Sequence, residues 1–297
     1  MPSTTVIRWG NPPTGLHNTP IYLGLQTGAF SVPGVQIEAR DNLTGADYTE
    51  ALVAGAYDIG HIGTPPLFAA LARTHEYVVI GQGLVRYPPF YLMSPASVRS
   101  LRELAGQMIT LNKLHTCPHS IIRTLLRWEG MTEDQIRLAT LVEGDAIVEA
   151  IKHGDTAAAV LWEPYVSYVE RVLSWKVLAE GRTTMTPSNY SILLYARRSL
   201  LARQPEVVQP MVTAYAHSVR AARQDLAAAA AALQKRMPHV PPADIESGLR
   251  REAPHWSADT GLDLRLLERV MGELEIQTVV PERFALRDVL AEAPRAA

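Results

Sequence analysis

The apolar positions of this 297-residue chain change period repeatedly along its length. β-Branched and aromatic residues cluster first in TVIRW, and the stretch HNTPIYLGLQTGAF then spaces Ile21, Leu25 and Gly28 as a helix does. VQIEAR alternates as a strand. ADYTEALVAG reads as a short helix stopped by Gly55, YDIGHIG as a strand, and TPPLFAALAR as a helix whose prolines sit in the first turn, where a missing N–H is tolerated. YVVIGQGL and FYLMS follow as strands. The alternation then restarts. LRELAG reads as a short helix and QMITLNK as a strand, and HSIIRTLLRWEG is amphipathic, with Ile121, Ile122, Leu125 and Leu126 on one face. IRLATL, TAAAVLW and WKVLAE read as strands, separated by the helices AIVEAIKHG and EPYVSYVERVL. From Ser199 onward only helix is expected. Its longest piece runs from about Pro205 to Arg236 and is closed by Pro238, Pro241 and Pro242.

This pattern predicts an α/β fold made of two Rossmann-like units in series, followed by a helical tail. PPFYLMSP ends the first unit and NYSILLYAR ends the second. They read as crossover strands, which a chain needs if it leaves one lobe and later returns to it. Ligands of open α/β sheets sit beyond the carboxyl ends of the strands. Two facing sheets therefore point those ends into one cleft.

Bulk composition narrows the function classes. The net charge is −2, which argues against a nucleic-acid partner or an anionic membrane surface. The single cysteine, Cys117, excludes an intrachain disulfide and any multi-cysteine metal site. No apolar run reaches the ~20 residues of a membrane span, and the alanines from Ala227 to Ala232 have the charged neighbours of an ordinary helix. MPSTTVIRWG carries no basic and apolar leader, so as written the chain is expected in the cytoplasm, or in the periplasm if its start is truncated or mis-assigned.

Two segments carry a family resemblance. DIGHIGTPPLFAALA matches the pattern DxGxxGxxPxxxA through Asp58, Gly60, Gly63, Pro66 and Ala69. VEGDAIVEAIKHGDTAAAVLWEPYVS follows DAxxAxxxGxxDA and a Trp-x-Pro-Tyr element through Asp145, Ala146, Ala150 (one residue late), Gly154, Trp162, Pro164 and Tyr165. LNK before a helix, NYS at the second crossover and the ending IQTVVPERFALRDVL also fit. In these the chain resembles the sulfonate, nitrate and taurine group of type II periplasmic binding proteins, the NMT1/THI5-like family. The resemblance implies lobe 1 from residues 1–90 plus 192–297, with the helical tail packed on it, and lobe 2 from 91–191. It further implies one small organic anion or (hetero)aromatic molecule between the lobes, no cofactor, an ABC permease as partner and a monomeric chain.

On that frame the loops after the strands supply the candidate ligand contacts. GNPPTGLHNTP offers His17 and Asn18, DNLTGAD offers Thr44, and GHIGTPP offers His61, Gly63 and Thr64, the last as cap of a helix whose free N–H groups suit an anion. LNKLHTCPHS offers Asn112, His115, Thr116, Cys117 and His119, with Thr116 or Cys117 as N-cap and Pro118 near the first helical position. Trp162 and Glu163 follow a strand end, and Asn189 lies at the second crossover. Tyr87, Tyr165 and Tyr190 are weaker candidates, and Arg86 and Lys113 are the nearby basic residues. His75, His153, His217, His239 and His255 are expected on outer helices and turns.

Two other readings use the same residues. The first is a cytosolic enzyme on this fold, with Cys117, His61 and His119 as candidate catalytic groups; a thiol at a helix N-terminus between histidines is expected to ionise early. Neither enzyme branch of the family transfers its motif. The desulfinase of the dibenzothiophene pathway needs a cysteine in the first loop, and GNPPTGLHN has none. The thiamine-pyrimidine synthase needs a cysteine-rich motif, which one cysteine cannot make. The second is a metal held by His17, His61, His115, His119 and Glu163, if they converge.

Overall fold

Period-2 and period-3.6 segments sort into two five-stranded sheets and flanking helices. The structure, a computed structural model, describes residues 4–84, 89–181, 192–280 and 284–291. The first sheet has the order β2-β1-β3-β10-β4, from strands β1 (Thr5–Asn11), β2 (Val35–Asp41), β3 (Ile59–Gly63), β4 (Tyr77–Gln82) and β10 (Ile192–Arg197). The second has the order β7-β6-β8-β5-β9, from β5 (Tyr91–Pro95), β6 (Met108–Leu111), β7 (Arg137–Thr140), β8 (Ala158–Leu161) and β9 (Trp175–Glu180). In each sheet three strands pair in parallel, and one antiparallel strand is inserted beside the third: β10 pairs with β3 and β4, and β5 with β8 and β9. The two inserted strands belong to the segments read as crossovers. β3 and β8 lie centrally, and the burial of Ile59, Ile62 and the AAVL run shows why β8 is uniformly apolar or small and why β3 is so apart from the buried His61.

Helices α1 (Thr19–Thr27), α2 (Gly45–Val53) and α3 (Thr64–Leu71) follow β1, β2 and β3, and α4 (Cys117–Trp128), α5 (Gly144–His153) and α6 (Tyr165–Leu173) follow β6, β7 and β8. The tail comprises α7 (Arg198–Arg203), α8 (Pro205–Gln224), α9 (Leu226–Gln234), α10 (Pro242–Glu252) and α11 (Leu264–Ile276). The long helix expected from Pro205 to Arg236 is therefore two. Asp225, at φ −129° and ψ 83°, leaves the helical region, and its carboxylate accepts the Ala228 N–H as an N-cap. LRELAG forms one 3₁₀ turn, Leu101–Leu104, instead of an α-helix. Among the described residues no helix is long and apolar enough to cross a membrane.

The tail packs on the first sheet and also reaches the second. α8 and α9 bury Val208, Met211, Tyr215 and Leu233 with Ile21 and Tyr22 of α1, and α11 buries Leu267, Val270 and Leu274 with Tyr48, Leu52 and Phe68. α10 lies against α6, where Arg171 donates to both oxygens of the buried Asp244 at 2.9 and 2.7 Å. On the other side Ser120 donates to the Gln277 side chain at 2.6 Å, and Gln277 donates to Thr124 at 3.0 Å. Lys113, after β6, reaches Asp47 of α2 at 3.1 Å. These contacts hold the carboxyl ends of both sheets face to face.

Candidate functional site

The segments that follow β1, β2, β3, β6 and β8 line one solvent-open cleft, with about 570 Å³ of space between its walls and the solvent at its mouth. Pro12, Pro13 and His17 come from the turn after β1, Gly45 from the start of α2, Ile62, Gly63 and Pro66 from the β3–α3 junction, and Asn112, Thr116, Cys117 and Pro118 from the β6–α4 junction. Trp162 follows β8, and Pro89, Phe90 and Ile192 lie beside the inserted strands. The prolines are there for a backbone reason. Each strand ends on a helix or turn whose first position tolerates a fixed φ and a missing N–H.

Polar groups are few and their roles are set by their neighbours. Asn112 Oδ1 accepts from the Lys113 N–H at 2.7 Å and from Thr116 Oγ1 at 2.9 Å, which leaves its NH₂ group as the donor for a ligand. Thr116 stands at the N-cap of α4 but spends its hydroxyl proton on Asn112 and the Lys113 carbonyl, so no side chain caps that helix. The first-turn N–H groups of Cys117 and His119 keep the partial positive charge of a helix N-terminus, and Pro118 has no N–H to add. At α3 the same logic removes donors, because Pro65 and Pro66 occupy its first turn.

His17 is held by its Nε2, 2.9 Å from the Pro13 carbonyl. A carbonyl only accepts, so Nε2 carries the proton and Nδ1 is a bare acceptor. Burial lowers its pKa to about 4, outweighing the Pro13 and Asp41 interactions, and the ring is neutral at pH 7. Trp162 is buried and its indole N–H has no hydrogen-bond partner. A smaller chamber of about 260 Å³ adjoins the cleft, lined by Leu16, His17, Pro89, Trp162, Glu163, Glu252 and Trp256. His17, Pro89 and Trp162 line both spaces.

The sequence candidates divide accordingly. His17, Gly63, Asn112, Thr116, Cys117 and Trp162 stand on the cleft wall, and Glu163 stands on the inner chamber. Asn18 lies behind the wall, donating to the carbonyls of Pro12 and Pro13 and so shaping the proline turn. Thr44 is buried as the N-cap of α2, accepting the Asp47 N–H at 3.1 Å. Thr64 is the buried first residue of α3, and the N-cap position falls to Gly63 instead. Asn189, with Arg86, Tyr87 and Tyr190, lies outside the described residues.

The remaining histidines have structural partners. His61 points away from the cleft into the core, where Nε2 lies 3.0 Å from Asn11 Oδ1 and Tyr215 Oη lies 3.4 Å from Nδ1. Burial drives its pKa well below the usual value. His115 adopts φ 60°, which turns its side chain outward and aims its N–H at His119 Nδ1, 3.0 Å away. His119 thus accepts at Nδ1 and donates from Nε2 to Glu133 at 3.1 Å, pinning the start of α4. The convergence required of His17, His61, His115, His119 and Glu163 does not occur, and among the described residues no three His, Cys, Asp or Glu side chains gather as metal ligands do.

Cys117 departs from its expected chemistry. Cys117 is half-buried among apolar wall residues, and desolvation there pushes the thiol up to about 12, outweighing a hydrogen bond from its own backbone N–H. Among the described residues no hydrogen bond joins it to His115 or His119; the His119 ring accepts from the His115 backbone N–H and donates to Glu133. The sequence reading missed the apolar half of the site: Pro12, Pro13, Pro66, Pro89, Phe90, Ile62 and Ile192. The available signal was the recurrence of proline just after predicted strands.

The sequence profile of the family described as "NMT1/THI5 like" matches residues 16–229. The chain belongs to the NMT1/THI5-like family. The taurine-binding periplasmic protein of Escherichia coli K12 is 25% identical over 177 residues, a stretch covering 59% of this chain and 54%, about half, of that relative. The alkanesulfonate-binding protein SsuA of Xanthomonas axonopodis pv. citri, solved with MOPS bound, superposes with a TM-score of 0.81 at 19% identity over 98% of this chain and 99% of that one. The periplasmic aliphatic sulphonate binding protein SsuA of Escherichia coli gives 0.79 at 20% identity over 97% and 98%. These superpositions establish this NMT1/THI5-like chain as a periplasmic-binding-protein fold.

Proposed function

We propose that this chain is a solute-binding protein of the ABC-transporter type that holds a small organic molecule in the cleft between its sheets. The observation that carries the reading is the cleft itself. It lies at the carboxyl ends of both sheets, with an uncapped helix N-terminus and the Asn112 amide on one wall and prolines, Phe90 and Trp162 on the others. That arrangement suits an apolar or aromatic body carrying a polar or anionic group. The E. coli relative named for taurine and the two sulfonate-binding neighbours support the same class of ligand. In this proposal the two bodies that close on the ligand are residues 1–90 with 192–297 and residues 91–191. The chain works as a monomer, delivers its ligand to a permease and acts in the periplasm. His17, Gly63, Asn112, Thr116, Cys117 and Trp162 are the proposed contacts. A cysteine-based reaction is disfavoured by the thiol's high pKa.

Native mass spectrometry of freshly purified protein, joined to thermal-shift screening against small sulfonates, carboxylates and heterocycles, tests this. One ligand should bind stoichiometrically and raise the melting temperature, and Trp162→Ala should abolish that rise. Catalytic turnover of the bound molecule, or a ligand whose stabilisation is untouched by Trp162→Ala and Asn112→Ala, overturns the reading.

A further inference from the structure

The contacts that span the cleft differ in kind from one end to the other. Beside the inserted strands, where the chain crosses between the sheets, they are multiple and buried. α11 shares a buried cluster with Val79 of β4 and with Leu193 and Tyr195 of β10, and its C-terminal end grips α4. Ser120 donates to Gln277 Oε1 at 2.6 Å, and Gln277 Nε2 donates to Thr124 at 3.0 Å. Arg123 donates to the Gln277 carbonyl at 2.5 Å, and Arg127 pairs with Glu273 at 2.5 Å. Ser120, Thr124 and Gln277 are all buried. α10 holds α6 in the same manner, through the two hydrogen bonds from Arg171 to the buried Asp244, and its Glu252 accepts from Tyr91 of the inserted β5.

The far end is joined by much less. α2 follows β2, the edge strand three places from β10, and Lys113 follows β6, two places from β5. One ion pair crosses there, Lys113 Nζ to Asp47 Oδ1 at 3.1 Å, and both side chains are 42% exposed. Asp47 is fixed in place. Its Oδ2 accepts from Thr44 Oγ1 at 2.6 Å, and its own N–H donates to the same hydroxyl oxygen at 3.1 Å. Lys113 ends a flexible four-carbon stem and is the partner free to swing away. Beside the pair the walls meet only by apolar approach: a Cβ at Gly45 would lie 3.7 Å from Thr116 Cγ2. A half-exposed pair of this kind contributes little and is weakened by salt, whereas parting α4 from Gln277 would leave buried polar groups unpaired.

We propose that the Lys113–Asp47 pair is the releasable latch of the cleft, and that the Gln277 and Asp244 contacts are the pivots about which the second sheet and its helices turn when it lets go. This rests on the solute-binding reading and names what regulates access to that site. α4 is the lever that links the two functions. Thr116 and Cys117 at its start face the cleft, and its body from Ser120 to Arg127 is held by α11. Release of Lys113 therefore withdraws the same first-turn N–H groups that face a ligand. Because the latch is a single exposed ion pair, ionic strength sets how often it opens.

Cys117, the single cysteine of the chain, stands on the cleft wall and reports opening. Its alkylation by iodoacetamide, followed by intact-protein mass spectrometry, tests the latch. The parent rate should rise ~2–5-fold between ~0.05 and ~0.5 M salt. Asp47→Asn, which keeps an acceptor for Thr44, and Lys113→Gln should each label ~2–5-fold faster than the parent at low salt and lose the salt dependence. The double variant should be no faster than either single one, as a shared pair requires. Ser120→Ala, which weakens a pivot, should leave the salt dependence in place. Single variants that label at the parent's rate, effects that multiply in the double variant, or a salt dependence that survives either single substitution overturn the latch. So does an acceleration matched by a fall in the urea midpoint, which would report global unfolding instead of opening. Loss of the salt dependence in Ser120→Ala overturns the division into latch and pivot. No solute is added, so these outcomes are separate from the mass-spectrometric and thermal-shift results that decide the solute-binding reading.

Discussion

Two glycines inside helices of the tail should respond to alanine in opposite directions. Gly248 lies on the buried face of α10, and Gly272 lies in α11. Helix propensity treats them alike, since Gly→Ala within a helix gains ~1 kcal/mol. Their surroundings differ. A methyl at Gly272 would meet nothing within 4 Å, whereas one at Gly248 would lie 3.0 Å from Glu163 Cβ, 3.0 Å from Glu163 Oε2 and 3.1 Å from Leu16 Cδ2. Overpacking of that kind costs ~1–3 kcal/mol, because α10 must lift from the strand end that carries Glu163. Gly272→Ala should therefore stabilise by ~0.5–1 kcal/mol. Gly248→Ala should destabilise by up to ~2 kcal/mol, the remainder after the propensity gain. At ~2 °C per kcal/mol for a chain of this size, the melting temperatures should move about 1–2 °C up and up to about 4 °C down. Differential scanning calorimetry with urea midpoints measures both. If Gly248→Ala rises as Gly272→Ala does, the close docking of α10 on the second sheet is refuted.

Three further outcomes follow from groups described above. Cys117, with its thiol pushed up to about 12, should alkylate far more slowly than a free cysteine at pH 8 and speed up as pH rises; a pH–rate profile with iodoacetamide that levels off below pH 8 would contradict its apolar setting. Asp58 is raised by partial burial, but the bidentate hydrogen bonds from Arg8, at 2.9 and 2.6 Å, outweigh this and hold its carboxyl below the usual range. Its stabilising contribution is thus complete above the ordinary carboxylate pKa of ~4 and is lost as pH falls through the lowered folded-state value, so Asp58→Asn should lower urea stability at pH 7 and the gap to the parent should narrow progressively as pH falls below ~4. Asp225→Ala should cost ~1 kcal/mol by removing the N-cap of α9, with Asp225→Asn retaining most of it in the same denaturation assay.

The fold was legible because each strand and helix carries its own period. The same order of elements occurs twice, and YVVIGQGL, TAAAVLW and HSIIRTLLRWEG needed no tertiary information. The site was legible only where a residue's role is fixed by its place at a strand end: Asn112, Thr116, Cys117 and Trp162 are of this kind. Side-chain direction was the obstacle elsewhere. In IGHIG both faces of β3 are buried, so the alternation that turns His61 toward Asn11 and Tyr215 and sends Ile62 to the opposite face leaves no trace in hydrophobicity. His115 was lost for a different reason, since a positive φ on a non-glycine residue is set by the turn around it. Glu163 was found, but its true neighbours, Arg251 and Glu252, lie about 90 residues away on a tail whose docking no local pattern reports.

The inserted antiparallel strands make the two halves unequal during synthesis. All strands of the second sheet fall between residues 91 and 180, so that sheet completes soon after its last strand emerges. The first sheet waits for β10. β4 ends at residue 82 and β10 begins at 192, a gap of 110 residues, during which β3 and β4 have a vacant lane between them. At ~5–20 residues per second that lane stays unfilled for roughly 5–20 s. The half translated first is therefore the last to close, and its open lane is where a nascent chain of this protein most needs shielding from neighbouring strands.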